Sequence, residues 1–252
     1  MAVSILLALP FIAAFALYIA GAAAVKKWPA YRMGLFAAGT FSALISVIGP
    51  LANAAHMDFR AHMAAHLLFA MLAPLLIVLS APATLAFKAL SVSNGRKLSR
   101  LLKSRPLRFL SHPVTAAILN FGGLWILYRT HLYTLMHTNE LLQLLIHFHL
   151  FAAGYLFTAS ILYIDPVPHR KSYYFRTIVM ILGFAAHGIL SKSLYILPPA
   201  SVPLEQAQIG SMLMYYGGDA IDLALIILFC RQWYKAARPG KNIRTQEQSY
   251  SG

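Results

Sequence analysis

Apolar residues in this chain come in blocks of about 18 to 25, each closed off by a short polar or basic piece. No other feature constrains the fold as strongly. About 20 apolar residues make a helix just long enough to cross the hydrocarbon core of a bilayer. Within hydrocarbon every backbone N–H and C=O must be satisfied inside the structure, and a helix does this segment by segment. The expected fold is all-α, a polytopic bundle of seven transmembrane helices at about residues 3–25, 33–52, 61–81, 114–130, 140–164, 173–197 and 210–233. Pro10, Pro50 and Pro74 fall inside or near span ends, which is tolerated where neighbours satisfy the freed carbonyl.

Only 11% of the 252 residues are charged, against about 25% in soluble domains. That leaves no material for a separate soluble domain. Residues 1–237 read as one transmembrane domain, and 238–252 as a polar, disordered tail. The first block lacks a basic leader and a small-residue cleavage site, so it reads as a retained helix rather than a removed signal peptide. A single cysteine, Cys230, excludes an internal disulfide or a thiol-pair site.

The net charge of +14 points to topology, not nucleic acid. Alternate connections hold 18 of the 21 Lys and Arg residues, and only Arg60, Arg129 and Lys192 lie on the opposite side. By the positive-inside rule the N-terminus is outside and the C-terminus cytoplasmic, as an odd number of spans requires. The basic connection at about 84–111 mixes leucine and phenylalanine with Lys and Arg. It is expected to form short amphipathic helices on the inner leaflet of the lipid bilayer.

That topology sorts the ten histidines. His112 and His169 belong to cytoplasmic connections, and the other eight lie in outer loops or outer halves of spans. Histidine in hydrocarbon is costly, so the asymmetry suggests a site on the outer side. His62 and His66 open the third span, His147 and His149 the fifth, and His187 lies in the outer half of the sixth. All fall within roughly 15 Å of the outer boundary. His62 and His66, four apart, share a helix face. His187 shares one with Gly183 and Ser191, and His149 one with Ala152 and Ala153. Such small-residue stripes mark packing faces. His147 and His149 point to opposite sides, and the stripe favours His149 as the one facing the centre.

Imidazoles at overlapping depth, with Met63 between the first two, suit a soft metal. Copper, especially Cu(I), fits better than calcium, magnesium or structural zinc. The expected ligands are His62, His66, Met63, His149 or His147, and His187, with His56, Met212, Met214 and Asp219 as further candidates. For His56, His131 and His137 an ordinary loop role is expected, and for Met212 and Met214 plain packing. Asp219, Asp222 and Lys192 are intramembrane charges without an assigned role. No nucleophile and base pair with supporting spacing appears, so a catalytic role is not expected.

The stretch AHMAAHLLFAMLAPLLIVLSAP, with His62, Met63, His66, Pro74 and Ala81-Pro82, resembles the signature of the caa3-type CtaG family of cytochrome c oxidase assembly factors. SHP at 111–113, LW at 124–125, HFHLFAAGYLF at 147–157, the pair Asp165-Pro166 and HG at 187–188 are similar to it as well. Ser80 departs from the glycine expected there, and the seventh span matches least. The resemblance implies a bacterial plasma-membrane protein that helps mature a haem-copper oxidase. Copper would be delivered toward the catalytic subunit, or exchanged with another copper chaperone. Two other readings stay open from the residues. One is a b-type haem protein with His66 and His149 as axial ligands. The other is a copper or proton-coupled transporter using Asp219, Asp222 and Lys192.

Overall fold

A computed structural model describes residues 2–167, 170–200 and 202–238, and among them every regular element is helical. His169 and all of the expected tail except Arg238 lie outside the described residues.

The first two spans are α1 (Ala2–Ala24) and α2 (Ala30–Val47). The second was expected to reach residue 52 but stops five residues earlier. Gly49 turns the chain at φ 87° and Pro50 starts a new short helix, α3 (Pro50–Ala55), because proline has no N–H to continue the old one. The third span is α4 (Phe59–His66), a π-helical turn at Leu67–Leu72, and α5 (Ala73–Leu79). The basic connection folds into α6 (Pro82–Ala89), α7 (Val92–Leu102) and α8 (Arg105–Leu110), and α7 buries none of its residues. Next come α9 (Pro113–Ala117), a π-helical turn at Ile118–Gly122, and α10 (Gly123–Arg129). The short outer helix α11 (Leu132–Thr138) leads into α12 (Glu140–Leu162), α13 (Tyr173–Ile196) and α14 (Leu204–Ala237).

Among the described residues six helices are long and apolar enough to cross a membrane, as in a multi-pass membrane protein. The exception among the seven expected spans is the fourth. It is a continuous run from Pro113 to Arg129, which rises only roughly 25 Å and is widened by its π turn. The last helix, by contrast, runs over 34 residues and extends well past a hydrocarbon core of about 30 Å.

The third span lies at the centre of the bundle, with 61% of its apolar window buried, whereas that of α1 is only 17% buried. It packs against α2, α12 and α14. Pro74 sits inside it and cannot bond the Ala70 carbonyl one turn back. The chain absorbs this with the π turn, in which the Ala73 N–H bonds the Leu68 carbonyl. Gly154 of α12 lies directly against the Ala70 carbonyl, and a β-carbon there would collide with it.

On the basic side, the Asp165 carboxylate accepts from the Ala83 N–H (3.0 Å), the Thr84 N–H (2.7 Å) and the Thr84 hydroxyl (2.6 Å), fastening the connection after α12 to the start of α6. Buried Arg176 donates to the Ile161 carbonyl and lies over the rings of Tyr163, Tyr173 and Phe229 at 4.4, 4.3 and 5.1 Å.

The close contact at Ala70 predicts that Gly154→Ala overpacks the bundle by about 1–3 kcal/mol. Melting in detergent should fall by roughly 2–12 °C. Gly34→Ala in α2, where a β-carbon meets nothing within 4 Å, should leave the melting temperature unchanged or raise it.

Candidate functional site

The outer end of the third span is set by Asp58. Its carboxylate caps α4 by accepting from the Arg60 N–H at 2.8 Å, and it pairs with the Arg60 guanidinium at 2.6 Å. The hydrogen bond and charge of Arg60 hold its pKa below the usual carboxylate value. The Phe59 N–H donates to the Gln206 side chain of α14 at 3.2 Å. With the helix start pinned, His62 and His66 follow one turn apart on the face turned into the bundle.

That face opens on a chamber of about 50 Å³ lined by His56, His62, His66, His137, Gln143 and His147, among others. A water molecule needs about 10–15 Å³ of such volume, so the chamber has room for a few waters or a hydrated ion. His62 Nε2 and the buried Tyr128 hydroxyl hydrogen-bond at 3.0 Å. The other rings step inward in pairs. Ring centroids are 6.1 Å apart for His56 and His137, 6.2 Å for His62 and His137, and 6.4 Å for His66 and His187.

Two of these rings are oriented by their own helices. His137 Nδ1 donates to the Tyr133 carbonyl and His147 Nδ1 to the Gln143 carbonyl, each at 2.8 Å. A carbonyl can only accept, so Nδ1 carries a proton, and in the neutral ring Nε2 has the lone pair. Metal-ligating histidines usually donate their other N–H in this way. Just outside the membrane segment, partial burial and the neighbouring His137 lower the pKa of His56, which favours its neutral, ligand-competent form.

His66 is the link to a second, deeper chamber of about 20 Å³, where it meets Asn120, Thr158, His187 and Asp222. His66 is buried, and among the described residues neither of its ring nitrogens has a hydrogen-bond partner; His187 Nε2 has none either. A buried polar group left this way costs roughly 1–3 kcal/mol. The fold therefore bears a standing cost at the junction of the two chambers.

Several expected site residues lie elsewhere. Met63 is fully buried and packs against Gly210 of α14, about a quarter turn from His62. Met214 is in the same apolar core, while Met212 is exposed. The preference for His149 over His147 is reversed by the packing. His149 Nε2 donates to the Leu119 carbonyl in the second π turn at 3.0 Å, and its ring lies against Gly123. Its small-residue stripe is a packing face, but toward the fourth helical run. The expected axial pair His66 and His149 therefore does not face one space. Asp219 is exposed on α14, and exposed Lys192 lies over the Tyr215 ring at 4.8 Å. Asp222, one turn beyond Asp219, is the carboxylate that faces inward.

His137, Gln143 and Tyr128 were not singled out as site residues. The usable signal was spacing: His137 stands four residues after Tyr133, and His147 four after Gln143. Among the described residues no three His, Cys, Asp or Glu side chains converge tightly enough to hold a metal ion. The arrangement is a series of pairs.

A model of the cytochrome c oxidase caa3 assembly factor family matches residues 13–236. An uncharacterized protein of Mycobacterium leprae is 26% identical over 260 residues, covering 93% of this chain and 39% of its own. Uncharacterized proteins of Mycobacterium bovis and Mycobacterium tuberculosis are 36% identical over 168 residues, covering 62% of this chain and 25% of theirs. The chain thus spans between a quarter and two fifths of the length of these relatives. No solved structure matches it.

Loss of the cap in Asp58→Ala should cost about 0.5–2 kcal/mol at neutral pH. The ion pair adds little because it is solvent-screened. The folded pKa lies below the unfolded one, so the carboxylate stabilises above about pH 3.9 and the effect is lost as pH falls through the folded value. Melting temperatures of the two proteins should differ at pH 7 and converge in acid below about pH 4.

Proposed function

The chain belongs to the cytochrome c oxidase caa3 assembly factor family, and from that premise we propose that it handles copper for a haem-copper oxidase at the histidine chamber. Copper is cargo in this reading, and the role is non-catalytic. The protein would be a single seven-span domain in the bacterial plasma membrane, with its N-terminus and chamber outside. The 17-residue-scale fourth run would cross where the bundle is thinnest. The recipient would be the oxidase catalytic subunit, or another copper chaperone serving it.

One observation carries the reading. His66 stands between two chambers with both ring nitrogens unpartnered, on the same face as His62. Two other rings of the outer chamber are oriented as donors. His137 and His147 present Nε2 lone pairs, and His56 lies within ring-contact distance of His137. The outer chamber has no carboxylate and no thiolate in its lining. Imidazole donors, with the Met136 thioether in the same lining, disfavour calcium and magnesium and suit copper.

Metal–imidazole bonds are about 2 Å long. Rings with centroids 6.1 to 6.4 Å apart leave room for one ion between two nitrogens. An ion held by two imidazoles at a time is incompletely coordinated, which suits a carrier that must give it up. His56 and His137 would receive it, His137 and His62 would hold it with His147 in the same lining, and His66 with His187 would form the deepest pair. Asn120, Thr158 and Asp222 would accept hydrogen bonds or balance charge beside that pair.

Copper stoichiometry of the purified protein tests this. Wild type should retain about one Cu(I) per chain against a weak chelator, and His62→Ala/His66→Ala should retain none. His149→Ala should bind as wild type does. Unchanged binding in the double variant would sink the assignment, and a stoichiometric Soret band in the isolated protein would favour haem instead.

A further inference from the structure

Far larger than the histidine chamber is an apolar groove of about 910 Å³ between α1, α2, the third span, α6 and α12, at the upper end of the roughly 300–1,000 Å³ of ligand sites. Its lining on α1 runs from Leu6 to Ala24, roughly 27 Å of helix. That is close to the full depth of a hydrocarbon core. No charged residue lines it.

One end of the groove is built differently. Tyr18, a lining residue, stacks on Phe36 at 3.9 Å and donates to the Ser80 carbonyl at 2.9 Å. Its hydroxyl accepts from Trp28 Nε1 at 3.1 Å. The Trp28 ring, held in this way, carries two cations. The Arg32 guanidinium lies 5.0 Å and the Lys88 ammonium 5.7 Å from its centroid. Lys26 and Lys27 follow α1 at the same end and are exposed. Among the described residues no carboxylate pairs with any of these four, and the ion pair present there is Arg60–Asp58 at the far end of the third span.

We propose that this groove binds one anionic diacyl phospholipid, with its acyl chains along α1 and its phosphate held by Arg32 and Lys88 beside Trp28. The charge at the mouth separates this occupant from a partner's transmembrane helix. Helix ends on the basic side of a membrane are themselves rich in Lys and Arg, and would meet Arg32, Lys88, Lys26 and Lys27 as like charges. A second copy of this chain has the same mismatch. An anionic headgroup complements the mouth, and each cation near such a surface strengthens binding roughly fivefold.

Native mass spectrometry of the full chain in mild detergent, titrated with phosphatidylglycerol or phosphatidylcholine of matched acyl chains, tests the site. One phosphatidylglycerol per chain should bind about tenfold or more tighter than phosphatidylcholine. Arg32→Gln/Lys88→Gln should lose most of that preference, Lys26 and Lys27 being left in place, with phosphatidylcholine binding unchanged. Ala86→Phe, which fills the groove, should lower binding of both. Equal affinity in the wild type, or a preference undiminished by the double substitution, overturns the proposal. So does a lipid-free dimer that Ala86→Phe dissociates.

Discussion

Backbone groups in hydrocarbon have no water to fall back on, and the third span of this protein has to meet that constraint around a proline. Pro74 takes away the partner of the Ala70 carbonyl. The π turn widens the helix just before it, and Gly154 lets α12 close over the exposed carbonyl. Both chambers border this join, and Ala70 lines each of them. The same helix that must be packed most tightly is also the one that carries His62 and His66. Its central position and its irregularity are therefore two sides of one arrangement.

The second π turn acts in a related way. It directs the Leu119 carbonyl at His149 and leaves Asn120 in the deeper chamber. Irregular backbone at membrane depth is tolerated where it is buried or lines a cavity. In both helical runs it lies next to a histidine. One histidine is satisfied by the freed geometry, and the other, His66, is left without a partner. That contrast separates a structural imidazole from a candidate ligand more sharply than either residue's depth.

Charge divides the molecule along the membrane normal. The basic connections are anchored by Asp165 at the start of α6 and by Arg176 among aromatic rings. The opposite end has little net charge and most of the histidines. Among the described residues no cluster of Lys and Arg lies at the histidine end, whereas the groove opens beside Arg32 and Lys88.

The block pattern of apolar residues determined an all-helical membrane chain. The distribution of Lys and Arg, together with the histidine positions, marked one end as chemically distinct. These features are legible because hydrophobic length and charge bias act one segment at a time. The sequence also placed His62, His66 and His187 at similar depth; the structure puts His62 and His66 in one chamber and His66 and His187 in the other. Rotation about each helix axis was a different matter. The small-residue face of His149 met the fourth run instead of the chamber, Met63 turned into the core against Gly210, and Asp222 rather than Asp219 pointed inward. Only the tertiary structure decided these, because which face of a helix meets which neighbour depends on close contacts at Gly123, Gly154 and Gly210 and on two π turns that shift the register. No periodicity within a single span records those contacts.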